Sequence, residues 1–393
     1  MKKKNKKLAG AFLSLSLVVG ALAGCGGGSK SSGNDSETIK VGVNLELSGN
    51  VASYGQSLLE GLSLAVNEIN EEGIDGKKIK LVEVDNKSET SEATNAALKL
   101  ISQDEVVAIV GAATSGNTMA QVELAQKNQV PIITPSGTSP EITYVDGELK
   151  DFMFRTSFID PFQGTVAANF ASQEIGAKNA AIYIDNSSDY SKGLADAFVE
   201  QFEANGGKIV AKESYVAKDN DFRSTLTNLK SAKPDFIFLP GYYEEVALIV
   251  KQARELGITV PFMGGDGWDS PKLLEIAGKE ALNNTFITNH YSSGDPSEQI
   301  QNFVKAFSTE YDGKSPDAFN ALGYDTGYLL ADAIKRAGST DSVKLKEALE
   351  KTEGLELITG DFTYDEKHNP VKSATILEFV DGVQTFNTKI DPK

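Results

Sequence analysis

Two loops in this sequence gather the residue types that hold a small anion. Gly111-Ala112-Ala113-Thr114-Ser115-Gly116-Asn117-Thr118 and Thr134-Pro135-Ser136-Gly137-Thr138-Ser139-Pro140-Glu141 are built from hydroxyls, glycines and small residues. Each follows a short apolar run, Val106–Val110 in the first case and Val130–Ile133 in the second. Loops of this kind bring backbone N–H groups and hydroxyls such as Ser115, Ser136 and Thr138 close to a ligand, with helix N-termini behind them. Further along, the glycine-flanked acid Asp266 and the aromatics Tyr54, Tyr190, Tyr242 and Trp268 stand in other loops that end strands. Together these groups offer donors for a carboxylate, an acid for an ammonium and a wall for a side chain. Either charge would be costly to bury unpaired, so the set suits a small zwitterion such as an amino acid. Taken singly, each hydroxyl loop also serves as a helix cap, each tyrosine as a core or rim residue, and Asp266 as a cap for the helix after it. Their joint appearance after successive strands favours the site.

Templates for enzymatic chemistry are missing. There is no G-x-x-x-x-G-K-[ST] phosphate loop, no G-x-G-x-x-G after the first strand and no G-x-S-x-G elbow. The two histidines, His290 and His368, have no metal-ligand spacing. His290 reads as a structural histidine ending a strand, and His368 as a solvated residue in the polar turn Asp365–Pro370. The acids Asp266 and Asp269 could imitate an acid/base pair, but a chain this rich in acids produces such pairs by chance. No cofactor, metal or catalytic residue is expected.

The elements that must position these groups follow from hydrophobic periodicity. Ile39–Leu45 and Ile79–Val84 read as strands; Leu58, Leu62, Ala65, Val66 and Ile69 fall at helical spacing between them, and Ala93–Gln103 is a second helix. Alternating strand and helix predicts a parallel sheet covered on both faces. The rhythm restarts with a helix over Phe162–Ile175 and strands at Ala180–Ile184, Ile209–Tyr215, Pro234–Pro240 and Pro261–Met263. Asp295-Pro296-Ser297-Glu298 predicts one helix start and Ser315-Pro316 another. Near the end, Asp381-Gly382 between two apolar runs predicts a hairpin.

Charge and the N-terminal segment bound the setting. Residues 1–24 carry Lys2, Lys3, Lys4, Lys6 and Lys7, then an apolar stretch, Leu8–Ala23, too short for a comfortable membrane span. The segment reads as an export signal. Its end, Leu22-Ala23-Gly24-Cys25, resembles the lipobox of bacterial lipoproteins, which implies lipidation of Cys25 and cleavage before it. Cys25 is the sole cysteine, so no internal disulfide can form. The formal charge of −17 becomes more negative once the five signal lysines are removed, which disfavours nucleic acid and anionic lipid as partners. Membrane attachment must then come from the lipid anchor. Residues 25–37, rich in glycine and serine, form a tether reaching on the order of 20 Å.

From residue 38 onward the chain resembles the branched-chain amino acid-binding proteins of ABC importers, which have the type I periplasmic binding protein fold. The resemblance rests on Leu47-Ser48-Gly49 with Tyr54-Gly55, Thr134–Glu141, Gly241-Tyr242 and Phe262-Met263-Gly264-Gly265-Asp266-Gly267. It implies an α/β protein of two Rossmann-like lobes joined by three crossovers, residues 38–157 plus 287–364 and residues 158–286 plus 365–393. By position, it implies that Ser115 and the loop Ser136, Gly137 and Thr138 hold a ligand carboxylate. The Ser136 carbonyl, the Thr138 hydroxyl and Asp266 would hold the ammonium. Tyr54, Tyr190, Tyr242 and Phe319 would form the wall, with Trp268 beside the acid. The implied role is a monomeric, lipid-anchored extracytoplasmic receptor that closes on leucine, isoleucine or valine and docks on an ABC permease and its ATPase. The same fold serves other amino acids, amides, urea and aromatic acids, and a receptor that feeds a signalling partner stands as an alternative. This chain departs from some members in having Asp266 where they have glutamate, and in lacking a first-lobe disulfide.

Overall fold

The computed structural model describes residues 38–390. Cys25, the tether and the export segment lie outside the described residues. Five parallel strands form the first sheet: β1 (Thr38–Leu45), β2 (Lys78–Asp85), β3 (Ala108–Gly111), β4 (Ile132–Thr134) and, after the small ribbon of β5 (Tyr144–Val145) and β6 (Glu148–Leu149), β7 (Met153–Arg155). Their order is β2-β1-β3-β4-β7. The second sheet takes β8 (Asn179–Asp185), β9 (Lys208–Tyr215), β10 (Phe236–Phe238), β11 (Phe262–Gly264) and β12 (Thr285–Asn289). After the ribbon of β13 (Leu355–Leu357) and β14 (Gly360–Phe362), it is completed by β15 (Ala374–Val380) and β16 (Val383–Ile390). The order is β16-β15-β12-β11-β10-β8-β9, parallel from β12 to β9 and antiparallel in the terminal hairpin.

Strands buried on both faces read as continuous apolar runs, and the core confirms it. On the first sheet, Val41, Val43, Val110 and Ile133 pack beneath α1 (Ala52–Glu72), while Ile109, Ile132 and Met153 pack beneath α2 (Thr90–Ser102), α3 (Ser115–Met119) and α4 (Val122–Asn128). On the second sheet, Ile182, Phe236, Phe238 and Met263 meet α5 (Asp160–Gln173) and α6 (Asp189–Ala204). Ala181, Ile237 and Phe262 meet the side carrying α7 (Arg223–Ser231), α8 (Tyr243–Glu255), α9 (Pro271–Ala277) and α10 (Lys279–Leu282).

Late helices return to the first sheet. After α11 (Glu298–Glu310), α12 (Ala318–Ala337) lies along α1, and α13 (Ser342–Glu350) packs on α12. The α1–α12 contact needs glycine: a Cβ at Gly61 would collide with the Asn320 carbonyl, and one at Gly323 with the Leu58 carbonyl. Both expected starts of these helices shift. Asp295 accepts from the Ser297 N–H within the loop instead of capping a helix, so α11 begins only at Glu298. The start expected at Ser315-Pro316 falls at Asp317, which forms a capping box with Asn320.

Among the described residues no helix is long and apolar enough to cross a membrane, and no group of three or more His, Cys, Asp or Glu could hold a metal ion.

Candidate functional site

In open α/β sheets the strand order reverses at a point where loops diverge and leave a crevice. Here the first reversal lies between β1 and β3 and the second between β8 and β10. The loops leaving those strands, with those after β4 and β11, meet around a small cavity. It is lined by Tyr54, Ala113, Thr114, Ser115, Ser136, Thr138, Tyr190, Tyr242, Asp266, Gly267 and Phe319. Eight residues singled out in the sequence are thus brought together from positions more than 250 residues apart.

The first-sheet side is preset by its own hydrogen bonds. Glu46, fully buried just past β1, accepts from the Ala113 and Thr114 N–H groups (2.9 and 3.1 Å), the Thr114 hydroxyl (2.9 Å) and Asn117 Nδ2 (2.8 Å). Two N–H groups of the first small-residue loop are therefore spent on an internal carboxylate. Gly111 opens that loop at φ 124°, where a side chain would be strained and would meet the Asn44 carbonyl. Ser136 Oγ donates to the Ala113 carbonyl (2.8 Å), and Ser115 Oγ accepts from the Ser139 N–H (3.2 Å), tying the two loops together. Behind them the buried Arg155 donates to the Gly137 and Ser139 carbonyls, both at 2.8 Å. Gly137 N–H donates to Thr134 Oγ1 (2.8 Å), so Gly137 shapes the turn and does not line the cavity.

The second-sheet side is organised around Asp266, in a turn of 3₁₀ helix, Asp266–Trp268. Its Oδ1 accepts from the Tyr190 hydroxyl (2.9 Å) and from Gln163 Nε2 (3.1 Å), and its Oδ2 from His290 Nε2 (3.1 Å). Gln163 also accepts from the Asp266 N–H (2.7 Å) and the Thr288 hydroxyl (2.6 Å). His290 stacks on Phe158 with ring centroids 3.8 Å apart, and burial depresses its basicity, so it faces Asp266 as a neutral donor. The phenols of Tyr54, Tyr190 and Tyr242 are pushed up by burial and stay neutral. Tyr54 stacks on Phe319 at 4.4 Å and Tyr190 on Tyr242 at 5.3 Å, which makes the wall.

Hydrogen bonds bridge the two sides. The Tyr54 hydroxyl donates to the Gly267 carbonyl and accepts from the Tyr243 N–H (3.2 Å). Ser53 Oγ meets Ser270 Oγ at 2.8 Å, Tyr243 donates to the Asn50 carbonyl at 3.1 Å, and Asn50 donates to Glu245 at 3.3 Å.

Two expectations change, those for Trp268 and His368, and Asp269 finds partners of its own. Trp268 does not line the cavity: its indole N–H donates to the Leu239 carbonyl (2.9 Å) and its ring is fully buried under Gly264. A buried indole needs one acceptor, and the nearest strand end supplies it. His368 is not solvated; its Nδ1 bonds the Met153 carbonyl (2.9 Å) and its ring stacks on Phe154 at 4.2 Å, because Asp365 curls the turn inward by accepting from the Lys367 and Asn369 N–H groups. Asp269 forms no acid pair with Asp266; it accepts from Asn289 and from the Ala318 N–H, both at 2.9 Å. Sequence reasoning missed Glu46, Arg155, Asp160 and Gln163. Their only local signal is polarity within or beside an apolar run.

Two α/β units meeting over a small, ring-walled cavity with a buried acid define a solute-binding protein. The family model described as "Periplasmic binding protein" matches residues 38–384. The leucine-binding protein LivK of Thermotoga maritima is 37% identical, with a TM-score of 0.85, over 90% of this chain and 99% of that one. The branched-chain amino acid transporter substrate-binding protein LivJ of Streptococcus pneumoniae, solved with isoleucine, is 40% identical with a TM-score of 0.84 over the same shares. The leucine-, isoleucine-, valine-, threonine- and alanine-binding protein of Pseudomonas aeruginosa is 29% identical over 93% of this chain and 94% of its own length. The chain belongs to the periplasmic binding protein family, a family of solute-binding proteins of ABC transporters, not a class of enzymes.

Proposed function

We propose that this protein captures an aliphatic α-amino acid, foremost leucine, isoleucine or valine, outside the cytoplasm and delivers it to an ABC permease and its ATPase. The observation that carries the reading is the cavity itself: a buried carboxylate, Asp266, at one side, hydroxyl loops at the other and aromatic rings between. In this reading Ser115 and the loop Ser136–Thr138 receive the ligand carboxylate. The Ser136 carbonyl, Thr138 hydroxyl and Asp266 receive the ammonium, and Tyr54, Tyr190, Tyr242 and Phe319 enclose the side chain. The relatives named for leucine, isoleucine and valine, one solved with isoleucine, support the ligand class.

The division into lobes belongs to the same proposal: residues 38–157 plus 287–364 against 158–286 plus 365–393. The pairing of β12 with β11 and β15 supports a second crossing at the end of that strand, a few residues past the 286/287 boundary. The bridges from Tyr54, Ser53 and Asn50 would break when the lobes part, so a ligand touching both lobes favours closure. The protein acts as a monomer without catalysis, held to the membrane through lipidated Cys25 and the tether of residues 25–37. Cys25→Ser should release it into the soluble fraction; retention would count against the anchor.

A thermal-shift screen of the purified protein against the amino acids, small amides and urea tests the ligand. At about 100 times its dissociation constant a ligand adds roughly 2.7 kcal/mol of stability, seen as a rise of several degrees in Tm. Silence toward every aliphatic amino acid would overturn the assignment.

A further inference from the structure

Beneath the Asp266 side of the cavity lies a second acid, Asp160, in the first turn of α5. It is fully buried and neither carboxylate oxygen has a hydrogen-bond partner. An unpaired buried carboxylate is costly, and such a group survives only where something compensates it. Its N–H donates to the Thr138 carbonyl (3.0 Å), and the Thr138 hydroxyl lies near enough to favour its charge without closing a full hydrogen bond. A methyl at Gly193 of α6 would stand 3.6 Å from its Oδ2, so the carboxylate is wedged between that helix and the Thr138 loop. The ionisable groups around it are Arg155 of β7, Asp266, Tyr190 and Tyr242, with His290 beyond Asp266.

We propose that Asp160 is a positioning residue for the ammonium end: its carboxylate takes the Thr138 hydroxyl hydrogen and leaves that oxygen's lone pairs facing the cavity. The inference rests on the amino acid reading of the cavity and assigns Thr138 a fixed polarity within it. A hydroxyl has one hydrogen and two acceptor lone pairs. With the hydrogen committed to Asp160, Thr138 can only accept, which suits an ammonium and rejects a carboxylate oxygen. Burial first, and then the neighbouring Asp266 charge, push the Asp160 carboxyl up, against the Thr138 hydroxyl and Arg155, which favour its charge. An arriving ammonium favours the charged form, so a proton held on Asp160 is released as ligand binds. By linkage, affinity rises with pH between the bound-state and free-state pKa of Asp160.

The test is calorimetric titration of leucine into the purified full chain from pH 5 to 8. Wild type should bind more tightly as pH rises. Asp160→Asn should weaken binding about tenfold at the upper end and flatten the profile. Equal affinity within twofold and an unchanged slope would overturn the proposal. Thr138→Val keeps the shape, and in the Asp160→Asn background it should cost less than twofold more; full additivity would also overturn it. Should Asp160→Asn not fold, Thr138→Val alone must reproduce the loss of affinity, and affinity within twofold of wild type there would refute the idea. Failure of wild type to bind leucine or any aliphatic amino acid would overturn the underlying reading instead, and it would appear before any variant is made.

Discussion

The two sides of the cavity solve the same problem with different materials. On the first-sheet side the charges are internal: Glu46 is consumed by the loop it organises, and Arg155 by the carbonyls of the next. What remains for a ligand is neutral, hydroxyls and backbone in fixed positions. On the second-sheet side a charge faces the cavity, Asp266, held by the side chains of Tyr190, Gln163 and His290. Backbone-built recognition is preorganised by folding of one loop, whereas side-chain-built recognition depends on contacts assembled from α5, α6 and β12. The first side should therefore be sensitive in stability and the second in affinity.

The largest effect expected is on Asp266→Asn. Truncating one member of a buried charge pair costs about 3 kcal/mol, so amino acid affinity should fall on the order of a hundredfold by calorimetry. Unchanged affinity would place the ammonium elsewhere. Glu46→Gln should act the other way. Its NH2 would replace one carboxylate oxygen and face the donor that oxygen now serves, the Ala113 or the Thr114 N–H, and hydrogen bonds to a charged group are worth about 1.5–3 kcal/mol; urea unfolding should lose roughly that much stability. Were stability intact, the first side would not be preset as described. Trp268→Phe removes the bond to Leu239 and should lower stability by about 1–2 kcal/mol, with affinity within twofold. A tenfold loss of affinity would return Trp268 to the site. Smallest is Tyr54→Phe, which keeps the stack on Phe319 and loses the bridging hydroxyl, costing about 1 kcal/mol or roughly fivefold in affinity.

The same contrast explains what could be read from the sequence. The strand, loop and helix rhythm placed β1, β3, β4, β8, β10 and β11 and the segments that follow them, so Ser136, Thr138, Tyr242 and Asp266 stood in the right turns, and Tyr54, Ser115 and Tyr190 beside them, in the first turns of α1, α3 and α6. Their convergence depends on two sheets facing each other, and that, like Phe319, came from family resemblance. Hidden from the sequence were the residues that hold those groups still. Glu46 acts on Ala113 and Gln163 on Asp266, 67 and 103 positions away. Nothing local distinguishes a buried acid that organises a distant loop from a surface acid in a chain of net charge −17. Trp268 misled for a related reason, since adjacency to Asp266 in a tight turn says nothing about which way a ring swings.

The central claim is that two unlike sides grip the two charges of one zwitterion. Titration of leucine, 4-methylpentanoate and 3-methylbutylamine into the same protein measures it directly, because the second compound lacks the ammonium and the third the carboxylate. Leucine should bind, and each truncated compound should be weaker by on the order of a hundredfold, since each leaves one side's buried polar groups unpaired. Binding of either one as tight as that of leucine would contradict the account.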